Sequence, residues 1–201
     1  MDENRPILII IAGPNGSGKT SVTSKILKHE WTEKCEYINP DEIAEKEFGD
    51  WNDPINVKKA AELATSKRYN FLKLKTNFIF ETVCSSNDKI EFLLMALKEK
   101  FFIRLFFIAT DNPTINAARI AKRVIEGGHD VPITKIISRY QKAIANICSV
   151  ANLVDRLYIY DNSVDNADAK LLFRASNGKI TKIYNDINEW AKPILENFDN
   201  K

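Results

Sequence analysis

Ile7-Leu8-Ile9-Ile10-Ile11-Ala12-Gly13-Pro14-Asn15-Gly16-Ser17-Gly18-Lys19-Thr20 is an apolar run that passes directly into a glycine-rich turn ending in Lys-Thr. Gly13, Gly16 and Gly18 let a backbone bend closely around phosphate oxygens and aim successive amides at them. Lys19 to His29 then has helical spacing, with Val22, Ile26 and Leu27 on the inner side. Strand, loop and helix in that order are the context a phosphate loop requires. Lys19 would reach the β and γ phosphates, Thr20 would offer its hydroxyl to magnesium, and the helix start would add its dipole. The stretch therefore predicts ATP and Mg2+ bound through Gly13, Pro14, Asn15, Gly16, Ser17, Gly18, Lys19 and Thr20.

Outward from the loop, strand-like runs alternate with helix-like ones, the pattern of a mainly parallel sheet flanked by helices. Phe78–Phe80, Phe101–Ala109 and Leu153–Tyr160 are predicted as strands buried on both faces, with Glu36–Asn39 as a weaker strand. Asn39-Pro40-Asp41-Glu42 reads as a helix start: a cap, a proline at the first helical position, then acids. A long helix is expected over Pro54–Leu74. A second, through Leu97, should bury Ile90, Leu93, Leu94 and Leu97. Asp111-Asn112-Pro113-Thr114 opens a helix ending at Gly127-Gly128, and another begins near Pro132 with Ile133, Ile136, Ile137, Tyr140, Ile144 and Ile147 on one face. These two form a helical-hairpin lid over about 112–150. Asn177-Gly178 between Leu171–Ser176 and Lys179–Tyr184 signals a C-terminal β-hairpin, since a type I′ turn needs positive φ at both central residues. Ile187–Phe198 should close the chain as a helix. No repeat or linker divides the sequence, so the expectation for 1–201 is a single α/β domain with the P-loop NTPase fold.

The 201 residues are 44% hydrophobic and 28% charged with a net charge of +2, which suits one globular core and gives no reason to expect a nucleic-acid partner. Lys67, Arg68, Lys73 and Lys75, interleaved with Tyr69 and Phe71, read as a solvated helix face. The N-terminus lacks a signal-peptide pattern, and no apolar run approaches the roughly 20 residues of a membrane helix. A cytoplasmic protein without membrane contact is expected. Cys35, Cys84 and Cys148 have no disulfide or zinc spacing and read as buried free thiols.

A phosphate loop does not by itself name a reaction. Asp41 follows the weak strand, at the end that faces the ligand crevice of a doubly wound sheet, where a carboxylate can orient or deprotonate an acceptor hydroxyl; a dipole-favoured helix acid is the alternative. Glu81-Thr82 ends another strand at the same edge, as a polar-substrate contact or as an exposed strand end. Arg119 and Arg123 share one helix face, opposite Ile120 and Val124, and Arg139 sits on the return helix. Arginines on a mobile hairpin could neutralise the transferred phosphoryl group and exclude water, or could be solvated charges. His129, in the turn between the helices, reads as structural.

Ala12-Gly13-Pro14-Asn15-Gly16-Ser17-Gly18-Lys19-Thr20, Ile38-Asn39-Pro40-Asp41, Phe80-Glu81-Thr82, and the run Arg123-Val124 through Gly127-Gly128-His129-Asp130-Val131-Pro132 to Arg139-Tyr140 together resemble the zeta-toxin-like P-loop kinases, in particular their short members. The resemblance extends from Ile7 to about Ser163. It implies ATP-dependent phosphorylation of a small-molecule hydroxyl acceptor, with Lys19, Asp41, Arg123 and Arg139 catalytic. Asp41 resembles the family's base and Glu81, beside Thr82, its substrate-binding acid. Arg119 is similar to the position against the adenine, and Asp161-Asn162-Ser163, with Asn162 at its centre, to the loop beside the base. Longer zeta toxins phosphorylate UDP-N-acetylglucosamine and are held by a separately encoded antitoxin. This chain is shorter, and its Gly-Gly-His-Asp-Val-Pro segment differs from their lid. An ATP-driven switch acting on a protein partner is the alternative, although a switch needs no pair of carboxylates at adjacent strand ends.

Overall fold

The computed structural model describes residues 5–49, 53–128 and 130–198; His129 lies outside them. The strands are β1 (Ile7–Ala12), β2 (Glu36–Ile38), β3 (Phe78–Thr82), β4 (Phe102–Ala109), β5 (Arg156–Asp161), β6 (Lys170–Ser176) and β7 (Lys179–Ile183). The helices are α1 (Lys19–Ile26), α2 (Pro40–Phe48), α3 (Pro54–Leu74), α4 (Asn87–Lys98), α5 (Pro113–Ile125), α6 (Ile133–Val150) and α7 (Lys192–Glu196). One sheet runs in the order β2-β3-β1-β4-β5-β6-β7. The pairings from β2 to β5 are parallel, and β6 and β7 add antiparallel. The chain leaves β1 and crosses over between its two neighbours, so the crevice at the strand C-termini opens at the phosphate loop.

Prolines and caps set the helix starts. Asn39, Asp53 and Asn112 each accept from the amide two residues on, and each is followed by proline. Asn177 and Gly178 have φ of 49° and 70°, which closes the predicted hairpin. The core on one sheet face is an aromatic cluster in which Phe78 meets Phe71, Phe80, Phe92 and Phe101 at centroid distances of 5.8–6.3 Å. On the other face, Val22 and Ile26 of α1 pack on Ile9, Ile11, Ile79, Phe106 and Ile108.

Several expectations shift. In α4 the buried residues are Phe92, Leu93 and Ala96, while Leu94 is exposed; Phe92 turns inward because the aromatic cluster receives its ring. In α6 the inner face is Ile136, Tyr140, Ala143, Ile147 and Val150, leaving Ile133 and Ile137 outside. Val124 and Leu27 are also exposed. β5 begins at Arg156, not Leu153, since Asp155 is held out of the ladder by ion pairing to Arg5 and by the Ile103 amide. It alternates in burial, unlike a strand covered on both sides. The C-terminal helix is short, because Pro193 fits only a first turn and the preceding Glu189–Ala191 is 3₁₀. Among the described residues no helix is long and apolar enough to cross a membrane. Cys84 is buried, Cys35 and Cys148 are half-buried, and all three are free thiols.

Candidate active site

The phosphate loop fits its surroundings so closely that its glycines have no room for side chains. A Cβ on Gly13 would lie 2.1 Å from the Ile108 carbonyl oxygen, and one on Gly18 2.1 Å from Asn162 Nδ2. Gly16 and Gly18 also have φ of 76° and 82°. Two asparagines pin the loop: Asn116 Nδ2 donates to the Asn15 carbonyl at 2.6 Å, and Asn162 Nδ2 to the Ser17 carbonyl at 2.8 Å. Asn116 is buried and accepts from Thr110 Oγ1, while Tyr140 donates from α6 to the Thr110 carbonyl at 2.6 Å. The lid helices are thereby tied to the loop.

Above the loop lies a cavity of about 710 Å³. Asn15, Gly16, Gly18, Lys19 and Thr20 line one wall; Asp41, Glu81 and Thr82 a second; and Arg119, Arg123 and Arg139 the lid side. Pro14, Gly13 and Ser17 are buried in the loop's base, and Ser17 Oγ has no protein partner. The four sequence motifs, distant along the chain, thus converge on one space.

Lys19 Nζ donates to the carbonyls of Gly13 and Pro14 at 2.8 and 3.0 Å. Burial lowers its pKa to about 8, against the opposing pull of Glu81 and Asp41 and with a further push from Arg123. Glu81 is fixed by two hydroxyls on the same oxygen, Oε1: Thr23 donates at 2.7 Å and Tyr37 at 2.7 Å, and Asn39 Nδ2 donates to Tyr37 at 3.2 Å. Burial, followed by the neighbouring Glu81, raises the Tyr37 pKa, so its hydroxyl remains a donor. Asp41 is exposed in the first turn of α2, its amide capped by Asn39. Thr82 Oγ1 accepts from the Cys84 amide and shapes the turn after β3.

On the lid, Arg139 Nη1 donates to Asn15 Oδ1 at 3.2 Å. Arg123 is exposed on the last turn of α5, which ends in a Schellman motif: Gly128 donates to the Arg123 carbonyl at 2.9 Å and Gly127 to that of Val124 at 3.0 Å. A Cβ on Gly128 would meet Arg123 Cγ at 2.7 Å, so this glycine makes room for the arginine. Arg119 pairs with Asp165 at 2.7 Å and also borders an adjoining cavity of about 430 Å³, lined by Gly18, Val22, Phe106, Tyr160 and Asn162. The positioning residues Tyr37, Thr23 and Asn116 carry no local sequence signal, since each acts through a contact between distant segments.

The donor set suits a nucleotide with a divalent cation. The first amides of α1 have no partner within the helix, and Thr20 is exposed into the cavity. Among the described residues no three His, Cys, Asp or Glu side chains cluster as a metal cage, and Mg2+ beside phosphates needs none, because water and phosphate oxygens complete its shell.

The zeta toxin family model matches residues 1–186. Among solved structures, the chain resembles the PezAT chromosomal toxin–antitoxin system of Streptococcus pneumoniae, with TM-score 0.65, 17% identity, and coverage of 100% of this chain and 81% of that one. It also resembles AvrRxo1-ORF1:-ORF2 with ATP, at 0.67 and 16%, over 98% of this chain and 64% of that one. A putative kinase from Chloroflexus aurantiacus matches at 0.51 and 16%, over 70% and 78%. At these identities the structures speak to the fold. No curated protein matches the sequence. With the family model spanning nearly the whole chain and the fold agreeing, the chain belongs to the zeta-toxin family of P-loop phosphotransferases.

Proposed function

We propose that this protein transfers the γ-phosphoryl group of ATP to a hydroxyl of a small molecule. The observation that carries the reading is the position of Asp41 and Glu81, two carboxylates from different elements, in the same cavity as Lys19 and the lid arginines. A nucleotide switch has no use for such a pair, whereas an acceptor hydroxyl needs a base and a hydrogen-bonding anchor.

In this reading the phosphates rest on the loop amides and Lys19, and the base of ATP occupies the adjoining cavity between Arg119 and Asn162. Mg2+, held by Thr20 and phosphate oxygens, would supply charge neutralisation. Asp41 takes the proton of the acceptor hydroxyl as its oxygen bonds to the γ-phosphorus and the bond to the ADP oxygen breaks. Arg123 and Arg139 stabilise the charge on the phosphoryl oxygens in flight. Glu81, held by Tyr37 and Thr23 through one oxygen, orients the acceptor. UDP-N-acetylglucosamine or a related nucleotide sugar is the first acceptor to examine, and a separately encoded antitoxin is the partner suggested by the likeness to PezAT.

The test is transfer of labelled γ-phosphate to UDP-N-acetylglucosamine and to fractions of a metabolite extract, with Lys19→Ala as the control. Label appearing in a hydroxylated metabolite with the wild type alone supports the kinase. ATP consumption stimulated by a protein and by no metabolite would make it a switch.

A further inference from the structure

Arg68 was expected on a solvated face of α3, yet it is 6% exposed. Its guanidinium lies 5.0 Å from the Phe80 ring centroid and 5.9 Å from that of Phe92, and Nη2 donates to Thr65 Oγ1 at 2.8 Å. Among the described residues no carboxylate forms an ion pair with it. Asp88 is near enough to act on its charge but is itself paired with Lys89 and largely exposed. Ring faces and one hydroxyl offset part of the cost of drying a cation, but they supply no counter-charge. Arginine stays protonated in proteins, so a permanent positive charge is stored here.

That charge borders the 710 Å³ cavity together with Thr65, Ser86 and Lys89. These residues come from α3 and the start of α4, elements that contribute nothing to the phosphate loop. Arg68 lies over Phe80 on the sheet face opposite to that of Glu81, and both residues line the same cavity. The 12-residue helix α4 begins at this wall after Ser86, whose side chain caps none of its amides; its dipole adds to the positive field, offset in part by Asp88 in the first turn.

We propose that Arg68, with Lys89 and the start of α4, forms a subsite for an anionic group of the acceptor, and so selects hydroxylated substrates that carry a phosphate or carboxylate. The planar guanidinium suits either group through paired N–H donors. This inference rests on the kinase reading, which assigns the rest of the cavity to ATP.

The experiment uses the full chain saturated with a non-hydrolysable ATP analogue and Mg2+, so that the phosphate loop is filled. Binding of inorganic phosphate and, separately, of acetate is then followed by calorimetry or by NMR. The wild type should bind at least one of the two at millimolar concentration, and the stronger identifies the class of anion. Arg68→Met, which keeps the stem between the two rings, should weaken that binding at least tenfold without altering affinity for the analogue. Arg68→Lys should fall between them, and Lys89→Ala, near the surface, should weaken the anion severalfold and serves if Arg68→Met misfolds. Analogue binding with neither anion bound, or an anion bound equally by wild type and variants, would overturn the subsite and leave the nucleotide reading standing. Failure of the analogue to bind would count against the kinase reading itself.

Discussion

Lys19 shows how burial sets chemistry at a single residue. Desolvation lowers its pKa to about 8. Phosphate oxygens arriving beside it favour the ammonium form, so nucleotide binding should draw in a proton whenever the pH is near or above 8. Apparent affinity for ATP should accordingly be flat at pH 7 and weaken as pH rises past 8, by up to about tenfold per unit. Calorimetry in buffers of different ionisation enthalpy would reveal the proton uptake directly. Lys19→Arg, which does not titrate in this range, should flatten the profile; a wild-type profile flat to pH 9.5 would contradict the assignment. The places of Lys19 and Asp41 at the cavity were legible because each sits at a fixed offset from glycines or a proline that announce the backbone geometry. Arg68 was not, because its neighbours Phe80 and Phe92 are brought to it by tertiary packing, and local polarity points the opposite way.

Among the elements, α5 is held lightly while α6 is anchored in the core. Only Asn116 and Ile120 of α5 are buried, a thin attachment for 13 residues. Its stop signal was readable as Gly127-Gly128, but the reason for the second glycine emerges only with the side chain of Arg123 packed against it. Gly128→Ala should therefore displace Arg123 and lower the rate of phosphoryl transfer in the same direction as Arg123→Ala, with a smaller change in thermal stability than Gly127→Ala, whose φ of 89° penalises any side chain. Arg123→Ala and Arg139→Ala should reduce transfer by on the order of 10² while ATP affinity changes only severalfold, as expected of groups that act on transition-state charge. Equal losses in both quantities would make them ground-state clamps. The α6 stripe was drawn too wide, taking in the exposed Ile133 and Ile137, because isoleucines fall on neighbouring faces, and it missed Ala143, which faces the core but gives no strong apolar signal.

At the scale of the whole molecule, the C-terminal ends of the central strands open onto the cavity and their opposite ends carry stability. Arg5 makes two bonds to Asp155, at 2.6 and 3.0 Å, and also donates to the Lys100 and Phe101 carbonyls, joining the segments before β1, β4 and β5. Asp155→Ala leaves that guanidinium and the Ile103 amide without the carboxylate. It should cost about 3 kcal/mol of unfolding free energy in denaturant titration, with turnover per folded molecule unchanged. The mainly parallel sheet and the hairpin addition followed from patterning, whereas the strand order and the convergence of Asp41, Glu81, Lys19 and the lid arginines on one cavity emerged only with the fold. That convergence is the basis for reading the crevice as a phosphotransfer site rather than a nucleotide switch. The most direct test is single-turnover transfer of labelled γ-phosphate to the acceptor found in the metabolite screen, compared between wild type and Asp41→Asn, with ATP affinity and thermal stability measured on the same preparations. ATP binding and folding should be unchanged, with transfer slowed by on the order of 10² or more, about 2.7 kcal/mol of lost transition-state stabilisation. A variant that transfers at the wild-type rate and is merely about 0.3–1 kcal/mol less stable would contradict the assignment of Asp41 as the base, reducing it to a helix-start acid.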